Sequence, residues 1–132
     1  MRVLDCGAGA GSRAAALLPG LAGRGVLVIA DGDAERLASN RLRIRRLQAA
    51  NVQFAQGMGR LRGQRGTFDL VIAGPPSSAT AALRRQPEAK LTFNRARLDA
   101  LLLAQKKALL DCAPFVRSGG ELCYITRSLL AE

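Results

Sequence analysis

The sequence predicts an α/β fold built on a doubly wound, mainly parallel sheet. Strand and helix patterns alternate along the chain with short connections, which is typical of parallel sheets covered by helices on both faces. A glycine-rich turn follows the first apolar run, and Asp31 ends the second. Both features lie where such sheets bind ligands, at the carboxyl ends of the strands. The 132 residues are expected to form one domain, residues 1–132.

Short apolar runs predict the strands, over residues 3–5, 26–30, 52–55, 68–73 and 121–126. The run 26–30 is apolar throughout, as is usual for a parallel strand buried on both faces. Prolines at 75 and 76 stop the fourth strand, because proline has no N–H to donate to a ladder. A serine and two glycines, residues 118–120, are expected to turn the chain into the last strand.

Three segments carry helical patterns. Residues 12–22 are rich in alanine and leucine, although Pro19 disturbs the pattern. Asp33 is suited to cap the second helix, whose apolar residues are Leu37, Leu42, Ile44 and Leu47. The third helix, residues 95–112, has the most regular leucine spacing, at Leu98, Leu101, Leu102, Leu109 and Leu110. Loops are expected at 60–67 and from 74 to 94.

The glycine spacing favours S-adenosylmethionine (SAM) over a nicotinamide dinucleotide. Gly7, Gly9 and Gly11 form G-x-G-x-G, whereas the dinucleotide fingerprint needs its third glycine one position later, where this chain has serine. Asp31 ends the second strand, where a carboxylate can accept hydrogen bonds from ribose hydroxyls. The other interpretation of Asp31 is an acid favoured by the helix dipole, a role that Asp33 could fill instead.

The chain is strongly basic, with twenty basic residues, all but three of them arginine, against ten acidic ones. Arginine binds phosphate through a bidentate fork, so RNA is the expected partner. A solvated, arginine-rich surface without a partner explains the charge equally well. The aromatic content of 4% does not support a base-stacking platform. The candidate RNA-binding residues are Arg41, Arg43, Arg45, Arg46, Arg60, Arg84, Arg85 and Lys90.

Neither a membrane nor a metal ion is expected as a partner. No apolar run approaches the roughly 20 residues that a membrane span needs. Asp5 interrupts the first apolar stretch, which argues against a signal peptide. Cys6, Cys112 and Cys123 lack metal-ligand spacing and are expected to be reduced, buried core residues. A cytoplasmic location is the expectation.

Four segments carry a family resemblance: VLDCGAGAGSRA, ADGDAERL, FDLVIAGPPSSATAALRRQPEAK and SGGELCYITRSLLAE. In this order they resemble the SAM-dependent RNA cytosine-C5 methyltransferases, in particular the ribosomal small-subunit methyltransferase B group. The most specific part is residues 84–90, followed by the helix that bears Gln105. The resemblance covers nearly the whole chain. It implies a Rossmann-like SAM-methyltransferase fold. Compared with that family, this chain is expected to lack the last two strands and the N-terminal RNA-binding domain.

The glycine turn, Asp31 and the resemblance together give a candidate SAM site. Arg13 stands where the family has lysine, and Met58 replaces an acid that would contact adenine. The candidate cofactor-binding residues are Asp5, Gly7, Ala8, Gly9, Ala10, Gly11, Arg13, Asp31, Arg36, Met58 and Gly74.

The family's cysteine chemistry is expected to be lost or very weak in this chain. The resemblance implies a thiolate that attacks cytosine C6, a second cysteine that helps to resolve the adduct, and an aspartate that binds the base at N3. This chain has Arg127, Ser77 and Gly74 at those three positions. Arginine stays protonated and cannot be the nucleophile, and the chain has no histidine to activate Ser77. No catalytic residue is therefore assigned.

Three functions remain open. The first is a domain of this methyltransferase family that keeps SAM and RNA binding, with impaired catalysis. The second is an amino-group N-methyltransferase that uses the Gly-Pro-Pro-Ser loop at 74–77, although the Asp or Asn and the aromatic residue of that motif are absent. The third is a non-catalytic basic module for RNA binding or assembly, indifferent to SAM. A separate RNA-binding domain or partner chain could complete any of them.

Overall fold

The computed structural model describes residues 1–21, 23–91 and 93–130. Within them, five parallel strands form a sheet in the order β3-β2-β1-β4-β5. The strands are β1 (Arg2–Cys6), β2 (Val26–Asp31), β3 (Val52–Gln56), β4 (Phe68–Ala73) and β5 (Val116–Tyr124). The α-helices are α1 (Ser12–Leu21), α2 (Ala34–Arg46) and α3 (Arg95–Cys112). The predicted doubly wound α/β fold is confirmed, and its strand order reverses between β1 and β4.

Hydrophobic clusters cover the sheet, and they divide along each strand because successive side chains point to opposite faces. Leu4 and Val71 belong to a cluster that includes Phe115 and Cys112 at the end of α3. A second cluster takes up Val3 with apolar residues of α1 and α2. Each fully buried aliphatic side chain stabilises the fold by roughly 1.5–3 kcal/mol. This packing holds the strand ends in a fixed relationship.

Strand register aligns the ends of the three central strands. Cys6 at the end of β1 lies opposite Ala30 of β2 and Ala73 of β4. The next residue of β1's loop, Gly7, donates its N–H to the carbonyl of Ala30 at 2.9 Å. Gly74 donates to the carbonyl of Cys6 at 3.0 Å. The loops after β1, β2 and β4 therefore start side by side at the carboxyl edge of the sheet.

Side-chain caps fix where two helices begin. The carboxylate of Asp33 accepts hydrogen bonds from the N–H groups of Glu35 and Arg36 at 3.0 and 3.1 Å, which confirms the predicted cap of α2. Asn94 caps α3 by accepting from the N–H of Arg97 at 2.9 Å. Helix α1 runs through Pro19 to Leu21, and residue 22, the predicted end of that helix, lies outside the described residues.

The last strand begins earlier than predicted. It starts at Val116 rather than at 121 and ends at Tyr124 rather than at 126. Phe68 pairs with Val116, whereas Leu70 pairs with Glu121, so residues 117–120 form an irregularity inside the strand. Gly119 has φ +74, which glycine adopts at little cost. The glycines expected to precede the strand thus form a bulge within it.

Two other expectations were wrong. The loops expected at 60–67 and from 74 to 94 contain 3-10 helices, Met58–Gln64 in the first and Thr80–Ala82 and Pro87–Lys90 in the second. Cys123 is exposed because β5 is an edge strand, whereas Cys6 and Cys112 are buried as predicted. Leu110 is 65% exposed despite its place in the leucine pattern, because α3 turns Gln105 and Cys112 inward. In the described part of the chain, no helix has the length and apolar character to cross a membrane.

Candidate functional site

A cavity of about 790 Å³ opens at the carboxyl edge of the sheet. The glycine turn after β1 and Asp31 line one side of it, and residues 74–77 and 125–127 line the other. A second chamber of about 170 Å³ adjoins it and is lined by apolar groups, among them Ala30, Met58 and Ala108. Gly7, Asp31 and residues 74–76 line both spaces. The two chambers therefore share a wall at the switch point of the sheet.

The glycine turn adopts a conformation that favours glycine. Gly7, Gly9 and Gly11 have φ values of +63, +57 and +89. A Cβ on Gly7 would lie 2.5 Å from the carbonyl oxygen of Gly74. Ala8 and Ala10, the small residues between the glycines, also line the larger cavity. The turn thus presents backbone to the cavity with little side-chain bulk.

Asp31 links the glycine turn to the start of α2. Its Oδ2 accepts a hydrogen bond from the N–H of Gly9, and its Oδ1 accepts one from the N–H of Asp33, both at 2.9 Å. The side chain is 6% exposed and lines both chambers. A carboxylate oxygen has two lone pairs, so each retains one for a ligand. Asp33 fills the capping role that the sequence left open between the two acids.

A buried ion pair lies beneath the turn. Asp5 is fully buried, and Nη2 of Arg13 lies 2.8 Å from its Oδ1. Arg13 Nε also donates to this oxygen, and Nη2 donates to the carbonyls of Cys6 and Gly7 at 3.2 and 2.6 Å. Burial raises the pKa of the Asp5 carboxyl, and the charge of Arg13 opposes that rise. The guanidinium is thereby fixed at the base of the cavity.

The guanidinium of Arg13 occupies the space beside Gly74. A Cβ built on Gly74 would overlap that group, whose nearest atom is Nη1. Glycine at position 74 thus leaves room for the arginine at position 13. The position expected from the resemblance to hold an aspartate has no side chain, and a cationic donor lies there instead.

The three expected catalytic positions lie together on one wall of the larger cavity. Gly74, Ser77 and Arg127 all line it. The N–H of Arg127 donates to Oγ of Ser77 at 3.4 Å, and the Arg127 side chain is exposed. Within the described residues, no cysteine lines this cavity. The structure therefore assembles the expected wall without a thiol on it.

Cys6 lies against the smaller chamber, next to Cys112. Hydrogen bonding with Cys112, together with burial, raises the pKa of the Cys6 thiol. A thiol with a raised pKa forms little of the nucleophilic thiolate at neutral pH. Cys6 is thus poorly suited to replace the missing nucleophile.

Two buried amides that the sequence analysis did not assign to the site support its loops. Gln105 of α3 is 5% exposed, and its Nε2 donates to the carbonyl of Pro76 at 3.3 Å. Asn40 of α2 is fully buried, and its Nδ2 donates to the carbonyl of Gly9 at 3.2 Å. A signal for Asn40 was available, because a polar residue between Leu37 and Ile44 interrupts the apolar face of a helix.

The candidate RNA-binding residues are exposed and fall in three segments. Helix α2 carries Arg41, Arg43, Arg45 and Arg46. The 3-10 helix Met58–Gln64 carries Arg60, and the segment after β4 carries Arg84, Arg85 and Lys90. The guanidinium of Arg41 lies 5.0 Å from the centroid of the Phe54 ring. Arg43 donates to Oγ of Ser12 at 3.0 Å, beside the cavity. Arg36 lines the cavity and pairs with Asp33 at 3.2 Å.

Comparison with known proteins yields a family match over the whole chain. The family "16S rRNA methyltransferase RsmB/F" matches residues 1–132. Ribosomal RNA small subunit methyltransferase B of Xanthomonas campestris pv. campestris is 36% identical over 138 residues, which cover 98% of this chain and 30% of the relative. The enzyme of the same name from Proteus mirabilis is 31% identical over 134 residues, covering 99% of this chain and 31% of the relative. The chain thus spans about 30% of the length of these relatives.

Solved structures share the fold. The crystal structure of PH0851 has a TM-score of 0.90 at 20% identity, covering 97% of this chain and 30% of that one. NSun6 from Pyrococcus horikoshii, solved with SFG, has a TM-score of 0.79 at 22% identity, covering 92% of this chain and 31% of that one. At these identities the likeness concerns the fold.

Proposed function

This chain belongs to the 16S rRNA methyltransferase RsmB/F family, and on that basis we propose that it is a SAM-binding methyltransferase domain directed at cytosine in ribosomal RNA. The observation that supports this function is the pair of adjoining chambers at the switch point, with Asp31 in the wall of both. The domain binds SAM and RNA. Methyl transfer to cytosine C5 is lost or very weak, because the family's two cysteine positions are substituted in this chain. Its working location is the cytoplasm.

The residues present fit SAM. The smaller chamber is lined by Ala30, Met58 and Ala108, which suit the flat, apolar adenine ring. Asp31 lies at the junction, and its remaining lone pairs suit the ribose hydroxyls. At Gly9 no atom lies within 4 Å of the position that a Cβ would take, so the turn is open there to close approach of the methionine part. Bound SAM supplies a methyl group on a positively charged sulfur, which is the electrophile of the reaction.

Several other candidate residues support this SAM site. Asp5 and Arg13 hold the end of β1 through their ion pair. Arg36 lines the cavity beside Asp31. Gly7 and Gly74 border both chambers. A Cβ on Gly7 would meet the carbonyl of Gly74, and a Cβ on Gly74 would overlap the guanidinium of Arg13. The candidate cofactor residues thus act partly through contact and partly by positioning the turn.

Impaired transfer is proposed from the chemistry of the substrate wall. A nucleophile for cytosine C6 must ionise and stand free in the cavity, as a thiolate does. Arg127 is a permanent cation, and Ser77 accepts the N–H of Arg127 with no histidine in the chain to take its proton. The wall can hold a substrate by hydrogen bonds, but it lacks the group that would activate the base.

RNA is proposed as the partner because of the net charge of +10 and the exposed arginines on α2. Phosphate contacts from such residues give affinity with little sequence preference. A separate RNA-binding domain or partner chain is proposed as the source of sequence selectivity.

The test is a calorimetric titration of the purified chain with SAM, with Asp31→Ala and, as a matched control, Asp99→Ala on the exposed face of α3. Micromolar binding that falls at least tenfold in Asp31→Ala, but not in Asp99→Ala, is the expected result. A folded chain that does not bind SAM would contradict the proposal. It would favour instead a basic RNA-binding or assembly module that is indifferent to SAM.

A further inference from the structure

The side chain of Arg13 is held on one side and presents donors on the other. Its hydrogen bonds within the described residues leave from Nε and Nη2, to Asp5 and to the carbonyls of Cys6 and Gly7. Nη1 lies over Gly74, at the wall of the larger cavity. The side chain is 25% exposed, so part of it faces the cavity. A guanidinium anchored in this way is a preorganised donor that cannot accept a hydrogen bond.

The surroundings of Nη1 indicate what it binds. Pro75, Pro76 and Ile125 supply apolar surface along the same cavity, which suits the face of a flat ring. A ring seated there meets donors and no carboxylate from position 74, so its edge must carry acceptors. Cytosine has two adjacent acceptors, N3 and O2, whereas its exocyclic amine is a donor. If the amine edge faced Arg13 instead, two sets of N–H donors would meet, which is unfavourable.

We propose that Arg13 Nη1, which lies in the space that glycine at position 74 leaves open, is the substrate-specificity group of this cavity and binds the acceptor edge of a pyrimidine base. This inference rests on the proposed function and names the substrate contact of the same site. It assigns Gly74 a definite role, because any side chain there would displace the guanidinium. The site binds a base although it lacks the nucleophile.

The first test compares nucleotides by NMR titration of the chain saturated with S-adenosylhomocysteine. The probes are cytidine 5′-monophosphate, its 3-deaza analogue, which lacks the N3 acceptor, and ribose 5-phosphate, which lacks the base. Cytidine monophosphate is expected to bind about tenfold more tightly than the 3-deaza analogue, since a hydrogen bond to a charged donor is lost. The difference is expected to disappear in Arg13→Ala and Gly74→Ala. Arg117→Ala, which removes an ion-paired arginine at the other end of the sheet, and Gly20→Ala in α1 are the controls.

The second test keeps the inference falsifiable if a variant is poorly folded. Gly74→Ala is expected to lower the melting temperature of the chain, but not in an Arg13→Ala background, where the overlapping group is gone. Equal affinity for the nucleotide and its 3-deaza analogue, or no binding of either, would overturn the role of Arg13. Failure to bind S-adenosylhomocysteine would contradict the proposed function separately. The nucleotides would then be compared on the free chain, with the same criteria.

Discussion

Asn40 of α2 and Gly9 of the glycine turn are joined by a hydrogen bond of 3.2 Å from Nδ2 to the carbonyl oxygen. Asn40 is fully buried, and a Cβ on Gly11 would lie 2.5 Å from its Oδ1. One side chain therefore supports the turn at Gly9 and leaves no room for a larger residue at Gly11. The shape of the proposed cofactor site depends on a helix that approaches it from beside the sheet.

Asn40→Ala should loosen this turn. The carbonyl of Gly9 loses its donor, so the free energy of unfolding should fall by about 1–3 kcal/mol. SAM affinity should fall with it, because the turn is no longer fixed. Urea unfolding and calorimetry measure the two effects. Leu42→Ala, on the same helix but 58% exposed, is the control, and equal losses in both variants would argue against a special role for Asn40.

Asp69 should make folding sensitive to acid. Its carboxylate accepts hydrogen bonds of 2.6 Å from the N–H of Arg2 and from Nε of Arg117, and these bonds lower its pKa from the ordinary value of 3.8. A carboxyl with a lowered pKa stabilises the fold above its ordinary pKa, and this contribution is lost as the pH falls through the lowered value. The contribution is therefore complete at neutral pH.

Asp69→Asn should consequently be less stable than the natural chain near neutral pH, with a gap that closes in acid. Urea unfolding across the pH range from about 7 to 3 tests this sign. Asp99→Asn, which removes an exposed ion pair with Arg95, should change stability little at any pH. A gap for Asp69→Asn that stays constant with pH would contradict the assignment.

The sequence predicted what depends on local patterns. Apolar runs located the strands, and Asp33 was identified as a cap from its position before a helical segment. It did not predict that Cys123 is exposed, because only the strand order shows that β5 is at the edge. The contact between Arg13 and Gly74 was also missed, because it needs the register of β1 against β4 and the direction of a long side chain.

That contact changes what is expected of attempts to restore cysteine chemistry. From sequence alone, Arg127→Cys with Ser77→Cys and Gly74→Asp supplies the three missing groups. In the structure, an aspartate at 74 would overlap the guanidinium of Arg13. The triple variant should therefore fail to methylate RNA. Methyl transfer should appear only in the quadruple variant that also carries Arg13→Lys, because lysine lacks the branched guanidinium.

Incorporation of a labelled methyl group from SAM into cytosine-containing RNA measures this order of variants. The natural chain should show no robust methylation of cytosine C5. Robust methylation that is sensitive to Ser77→Ala or Cys6→Ala would contradict the proposed loss of activity. Activity in the triple variant equal to that of the quadruple variant would show that Arg13 is not the obstacle.

The arginines of α2 should determine how RNA binding responds to salt. Each lysine or arginine that neutralises a phosphate contributes about 0.9 to the slope of log affinity against log salt for a duplex, and about 0.7 for a single strand. Replacing Arg41, Arg43, Arg45 and Arg46 by serine should weaken binding and flatten that slope by about one unit for each phosphate that is no longer neutralised. Fluorescence anisotropy at several salt concentrations gives both quantities. Lys106 and Lys107 of α3, replaced together, are the control for charge alone, and an unchanged slope in the α2 variant would indicate that those arginines form only a solvated helix face.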